Sequence, residues 1–236
     1  MTTDKISHLK LPYSFDQTAL LHDLNTIAEG SWLPQIYKMN YDGEWTSIAL
    51  FAPKGENNTF SFSSADNEMD ETPILESCPY FKKVIASFEC PLISARLLRL
   101  NAGARIKPHR DFKLGYENNN FRIHIPIITN ELIDFILNGQ RLEMKVGECW
   151  YTNVNFIHSV ENRSSEDRIH LVLDFERNEW SDRLFFAQAP RAQFYLEDDQ
   201  DADSNLRRTI EELKARNEPH MKEWIEKLER QLTIDN

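Results

Sequence analysis

The sequence predicts a mainly β fold, an antiparallel barrel or jelly roll with helices at its flanks. Three observations carry that expectation. Short runs rich in β-branched and aromatic residues recur between about residues 45 and 175, Asn138-Gly139 joins two of those runs, and helical spacing is confined to the stretches before and after them. With 236 residues, 41% of them hydrophobic, the chain can bury one sizeable core, alone or with a small helical appendage.

Residues 16–29 fit an amphipathic helix. Asp16 is placed to cap it, Leu20, Leu24 and Ile27 fall at helical spacing, and Gly30 can end it. A second helix is expected from Pro79 to Phe88, with Ser77 as its cap and the proline in the first turn, where a missing N–H costs little. The strand runs are WTSIALF, ISARLLRL, FRIHIPII, LIDFIL, RLEMKV, CWYTNV and RIHLVLDF, and Gly147 marks a bend or a close approach. After Asp174 the pattern loosens. Residues 196–204 (LEDDQDADS) read as an acidic solvated linker, and Leu206, Ile210 and Leu213, then Met221, Trp224, Ile225, Leu228 and Leu232, give two helices interrupted near Pro219. The expected organisation is therefore a domain over 1–195 with its strand core at about 45–177, followed by a linker and helical C-terminal segment over 196–236. Those last helices either pack on the barrel or form a homodimer contact.

Composition narrows the function. A net charge of −11 disfavours nucleic acid and anionic membrane surfaces, which call for clustered Lys and Arg. No apolar run approaches the roughly 20 residues of a membrane helix. The amino-terminal MTTDKISHLKLPYSF has no apolar stretch like that of a secretory signal, which places the protein in the cytoplasm. Cys78, Cys90 and Cys149 are odd in number and lack C-x-x-C spacing, so they read as small buried hydrophobes rather than disulfides or a thiolate zinc site.

The informative segment is Lys107-Pro108-His109-Arg110-Asp111. On an extended strand, residues two apart project to one face, so His109 and Asp111 can chelate one ion. His158, from a later strand of the opposite sheet, would complete a two-histidine, one-carboxylate face that leaves roughly three of six octahedral positions open. A lone H-x-D occurs often by chance. Its weight rises with Arg168, ten residues after His158, which opens the strand RIHLVLDF and lets one hairpin carry both the metal and a receptor for a carboxylate. A guanidinium suits that task because its planar fork stays charged when buried.

RLLRLNAGARIKPHRD, then RIHIPI, then VGECWYTNVNFIHSVENRSSEDRIHLVLDF resemble the aspartyl/asparaginyl β-hydroxylase domain family of Fe(II)- and 2-oxoglutarate-dependent oxygenases, which in turn resembles the bacterial proline hydroxylases. The resemblance covers about residues 92–177. It implies a double-stranded β-helix, the cupin-like jelly roll, with His109, Asp111 and His158 as iron ligands. It also implies Arg168 on the distal carboxylate of 2-oxoglutarate, and O₂ as the second cosubstrate. The animal type member of the family lacks the carboxylate ligand; this chain keeps Asp111, which places it nearer the small-molecule branch, argues against halogenation and favours hydroxylation. Arg122 and His124 share a strand face that the resemblance makes interior. His124 then meets the metal-proximal carboxylate, and Arg122 that group or a substrate carboxylate; the alternative is a surface Arg and a buried, satisfied His.

His170 and Asp174 share the parity of Arg168 and read as structural. Trp150, Asn153 and Asn155 read as the strand and turn that aim His158, and Asn162 as the amide that holds the connection toward Arg168. His8, His22 and His220 fall in terminal or helical segments and stay outside the site. Three functions compete: hydroxylation of a small amino acid or similar acid, hydroxylation of Asp or Asn in a peptide or protein, and a cupin-like metal-binding sensor or binding module. The last has no need of Arg168 at this spacing. A zwitterionic or acidic amino acid is expected, because Arg96, Arg99, Arg110 and Arg122 flank the iron motif in an otherwise acidic chain.

Overall fold

A computed structural model describes residues 5–54 and 69–194, with Ile210, Glu211 and Lys214 beyond them. The chain divides into two compact units, Met1–Tyr195 and Leu196–Asn236. In the second unit those three residues are helical, and the acidic linker, the rest of the expected C-terminal helices and His220 lie outside the described residues.

Strands β1 (His8–Ser14), β2 (Leu33–Pro34), β3 (Tyr41–Asp42), β4 (Trp45–Ala49), β5 (Phe51–Pro53) and β6 (Met69–Glu71) come from the first third of the chain. Then follow β7 (Leu92–Leu100), β8 (Arg105–His109), β9 (Asn120–Ile128), β10 (Ile133–Leu137), β11 (Gln140–Leu142), β12 (Glu148–Thr152), β13 (His158–Asn162) and β14 (Arg168–Glu176). Helices are α1 (Gln17–Thr26), α2 (Pro73–Glu76), α3 (Pro79–Ala86) and α4 (Glu179–Phe186). The strands form a seven-stranded sheet in the order β1-β12-β9-β14-β7-β4-β2, a five-stranded sheet in the order β11-β10-β13-β8-β3, and the small pair β5-β6, antiparallel in every pairing. Two antiparallel sheets facing each other, with helices covering one of them, make the jelly roll that the strand spacing predicts.

β14 shows how the two layers arise from alternation. Ile169, Leu171, Leu173 and Phe175 join a cluster with Leu20 and Leu24 of α1, Phe81 and Val84 of α3 and Phe185 of α4. Arg168, His170, Val172 and Asp174 project the other way, toward the five-stranded sheet, and from Arg168 to Phe175 every residue of the strand is buried. β9 repeats the pattern, with Phe121, Ile123, Ile125 and Ile127 against the helices and Arg122 and His124 inward. A smaller cluster of Leu100, Ile106, Ile133, Phe135, Leu137 and Val160 fills one part of the space between the sheets.

Local differences from the sequence reading have local causes. α1 is capped by Asp16, which accepts from Ala19 N at 2.9 Å, but it ends at Ile27, where ψ turns to 128°, and not at Gly30. Ser77 closes α2 instead of capping α3. The carboxylate of Asp23, reaching across from α1, accepts from Tyr80 N (2.7 Å) and Phe81 N (2.9 Å) and so occupies the free amides at the start of α3. β1 escapes the sequence reading because Pro12 interrupts it. It survives as an edge strand on β12, with a register shift between Leu11 and Ser14 at that proline. Asn138 (φ 51°) and Gly139 (φ 76°) form the tight hairpin between β10 and β11. Gly147 (φ 76°) is a close approach, since a Cβ there would run into the carbonyl oxygen of Phe15.

Cys78 and Cys149 are buried, Cys90 is half-buried, and all three are free thiols. No helix among the described residues is long and apolar enough to cross a membrane.

Candidate metal centre and ligand pocket

His109 is the last residue of β8 and His158 the first of β13, and the two are register partners. β8 and β13 thus lie side by side in the five-stranded sheet, which corrects the expectation that His158 comes from the opposite sheet. The imidazole centroids are 4.2 Å apart. Asp111 stands two residues beyond the end of β8. Its N–H donates to Val154 O at 2.9 Å, so the turn that delivers His158 also holds the Asp111 backbone. One ligand atom from each of His109, Asp111 and His158 lies within 4.8 Å of the other two.

Each histidine is prepared for a metal by its own backbone. His109 Nδ1 lies 2.8 Å from Lys107 O, and His158 Nδ1 lies 3.1 Å from Phe156 O. A carbonyl only accepts, so each Nδ1 carries the proton and each Nε2 keeps its lone pair for an ion. Asp111 Oδ1 is 3.7 Å from His109 Nε2, while Asp111 Oδ2 accepts from Arg122 Nη1 at 2.5 Å. Burial opposes ionisation of Asp111, but the Arg122 guanidinium beside it holds the carboxyl below its ordinary range. Burial likewise pulls His158 down to about 4, so the ring is neutral and able to ligate at neutral pH.

The turn that aims His158 is built from amides. Asn153 Nδ2 donates to Glu117 Oε2 (2.9 Å), Asn155 Nδ2 donates to Asn118 Oδ1 (2.7 Å), and Asn155 Oδ1 accepts from Leu114 N (3.2 Å). Trp150 Nε1 donates to Glu148 Oε2 at 2.9 Å. Asn162, fully buried, donates to Leu100 O (3.0 Å) and Glu166 O (2.8 Å) and accepts from Ser164 Oγ (2.7 Å). That side chain pins residues 163–167. They do not form a hairpin, as the sequence reading expects: β13 and β14 belong to different sheets, and this segment crosses between them.

Across the gap, Arg168 is 2% exposed. Its guanidinium lies 5.6 Å from the centre of the Phe135 ring, and its Nη2 donates to His170 Nδ1 at 2.9 Å. Among the described residues it meets no carboxylate, and burial alone lowers it to about 9, leaving it cationic at pH 7. A guanidinium can only donate, so neutral His170 carries its proton on Nε2. That Nε2, together with Arg168 Nε, His124 Nδ1 and Thr152 Oγ1, is buried without a hydrogen-bond partner. Buried polar atoms are normally satisfied, and the orphans on Arg168, His170 and His124, which neighbour Phe135 or one another, describe the imprint of an anionic polar ligand, whereas Thr152 stands at the Arg122 register further along the sheet. The pocket therefore fits a carboxylate near Arg168 and an oxygen ligand near His124, beside a three-ligand metal face.

Arg122 is used differently from the expectation. It is interior, but it donates Nε (2.7 Å) and Nη2 (3.1 Å) to Asp174 and Nη1 to Asp111, so three of its N–H groups are committed to the protein. Arg99 faces outward to Glu29 (2.6 Å), and Arg110 reaches Asn155 O at 3.4 Å. His8, the register partner of Thr152, lies tilted against the Trp150 ring and His22 is exposed on α1; neither joins the three-ligand cluster. Thr152 and Phe135 were missed from the sequence. Thr152 is the register partner of Arg122, and its parity with Trp150 on β12 was the available signal.

The buried rings set an acid limit on the metal-free protein. Burial holds His124 and His170 well below the ordinary histidine value and His158 at about 4. With folded values below the unfolded 6.5, the unfolded chain binds more protons as pH falls from 6.5 toward 4, so stability is lost across that window and recovered above it. His158 alone is expected to cost about 2 kcal/mol between pH 7 and 5. Denaturant midpoints measured at both pH values check this, and equal midpoints would contradict the buried neutral assignment.

The sequence model of the family described as aspartyl/asparaginyl beta-hydroxylase matches residues 15–178. The chain is similar to an L-proline cis-4-hydroxylase of Rhizobium meliloti (strain 1021), 27% identical over 172 residues, which are 72% of this chain and 61% of that protein. It is also similar to L-proline cis-3-hydroxylase 2 of a Streptomyces species, 25% identical over 173 residues, 72% of this chain and 60% of that protein. The chain thus spans about three-fifths of the length of the curated relatives it matches. Among solved structures, an oxidoreductase of the 2OG-Fe(II) oxygenase family from Burkholderia pseudomallei shares the fold, with a TM-score of 0.50 at 14% identity, covering 74% of this chain and 87% of that one.

Proposed function

Because the chain belongs to the aspartyl/asparaginyl β-hydroxylase family, we propose that it is an Fe(II)- and 2-oxoglutarate-dependent dioxygenase that hydroxylates an unactivated C–H of a small amino acid. The observation that carries the reading is one juxtaposition. An open three-ligand face, His109, Asp111 and His158, sits in the same interior as a buried guanidinium with no protein carboxylate to pair with among the described residues. A buried cation without a protein carboxylate calls for an anionic ligand, and a dicarboxylate cosubstrate supplies that partner beside the metal face.

In this reading His109 Nε2, Asp111 Oδ1 and His158 Nε2 would hold the iron. Arg168 would receive the distal carboxylate of 2-oxoglutarate, with His170 Nε2 as a further donor, and His124 would meet the oxoacid nearer the metal. When bound, iron and 2-oxoglutarate supply an oxidant from O₂, one oxygen atom leaving in succinate with release of CO₂ and the other entering the substrate C–H bond. The protein's part is to fix the ligands, exclude water through the buried walls and place one substrate carbon beside the open face.

A small anionic or zwitterionic substrate is supported by the charge inside the barrel. Arg122 and Arg168 are buried cations on this inner face, and among the described residues Arg168 meets no carboxylate, which suits the interior to carboxylate ligands. The proline hydroxylases to which the chain is similar make proline the first candidate. Succinate release coupled to a mass gain of one oxygen is expected with a free amino acid, and is measured in parallel on amino acid amides and on short Asp- or Asn-containing peptides. Turnover of peptides alone would move the substrate assignment to a polypeptide, and no turnover with any of them would remove it.

A further inference from the structure

We propose that Asp174, sixteen residues beyond the last metal ligand, is a positioning residue of the metal centre that acts through Arg122. The inference rests on the assignment of His109, Asp111 and His158 as the iron ligands. Asp174 is wholly buried on the inner face of β14, where it is the register partner of Ser94 on one side and Arg122 on the other. Its Oδ2 accepts from Ser94 Oγ at 2.9 Å and lies 3.1 Å from Arg96 Nη2, and Arg96 Nη1 in turn donates to Ser94 Oγ at 2.6 Å. Both Asp174 oxygens also accept from Arg122, at 2.7 Å from Nε and 3.1 Å from Nη2. That two-point contact fixes the plane of the Arg122 guanidinium.

The other edge of the same guanidinium does the work at the metal centre. Nη1 reaches Asp111 Oδ2 at 2.5 Å, so this oxygen is occupied while Oδ1 is the one near His109 Nε2. Asp111 stands past the end of its strand and is one-third exposed, without a neighbouring strand to restrain its side chain. A long arginine reaching it unsupported would surrender considerable rotamer freedom on contact. Asp174 removes that freedom beforehand. The consequence is a carboxylate held to one-oxygen coordination, which keeps the remaining positions of the metal open.

A mere counter-ion for two buried arginines would affect folding without touching metal geometry, and the two roles separate in a double-mutant cycle. The probe is Co(II) alone, titrated anaerobically into the full chain and followed by its visible ligand-field bands. Asp174→Asn is expected to weaken Co(II) binding by about 10- to 100-fold, the range seen for outer-shell partners of metal ligands, and to change the bands. Arg122→Gln is expected to do the same, and the double variant to be no weaker than Arg122→Gln alone. Should Asp174→Asn fail to fold, Arg96→Met/Asp174→Asn, which keeps the interior charge balanced, carries the measurement with the same expectation. Affinity within about twofold of wild type with unchanged bands, or fully additive losses in the cycle, would overturn the proposal. Wild-type protein whose Co(II) binding ignores His109→Ala would instead remove the metal-site assignment itself.

Discussion

Arg168→Met is expected to abolish measurable 2-oxoglutarate binding while leaving divalent metal affinity intact. The side chain is enclosed on one side by Phe135 and tied to His170, and its guanidinium has no protein anion among the described residues. Removing one partner of a buried charged pair costs about 3–5 kcal/mol, or roughly 10²- to 10⁴-fold in affinity. Because the cation is uncompensated before the oxoacid arrives, the same substitution is expected to raise the melting temperature of the ligand-free protein. Burial lowers Arg168 in the direction that such an uncompensated cation requires. Calorimetric titration with Mn(II) present and thermal melts without oxoacid check the two halves. Unchanged oxoacid affinity would transfer the anchor to another cation, Arg96 or Arg122.

The second large effect belongs to the histidines. His109→Ala and His158→Ala each remove one of three ligands, and binding of Fe(II) is expected to weaken by more than the roughly 10- to 100-fold that attends loss of an outer-shell partner. With wild-type protein, anaerobic Fe(II) and 2-oxoglutarate, a weak visible charge-transfer band is expected, and both variants should lack it. Zinc is expected to bind the same three ligands and inhibit, since it has no redox chemistry. A band that persists in both variants would dismiss the triad.

Much of this site is legible from spacing. His109-x-Asp111, then His158, then Arg168 opening an apolar strand run is enough to gather four side chains without coordinates, because successive residues of any strand alternate between its two faces. Pairing is not. Whether β13 lies beside β8 or across from it depends on which edge each strand finds, and so the placement of His158 and the crossover at 163–167 were misread. Charges also resist a one-dimensional reading. Arg122 looks available to a ligand until Asp111 and Asp174 are seen on either side of it, and Asp174 looks structural until its partner's far edge is followed to the metal face. Caps fail for a similar reason: α3 takes its acceptor from Asp23, more than fifty residues earlier in the chain, where no local pattern points.

The burial of both faces of β14 bears on how the chain finds its register. In a sheet with one wet face, a slip by one residue exposes a few apolar groups and buries a few polar ones. Here a slip would thrust Arg168 and Asp174 among the aromatic rings beneath the helices and set Leu171 and Phe175 against the histidines, so every misaligned pairing pays twice. An insertion of a single residue within 168–175 should therefore be far less tolerated than one in the crossover before it, and the charges that serve the ligand also proofread the fold.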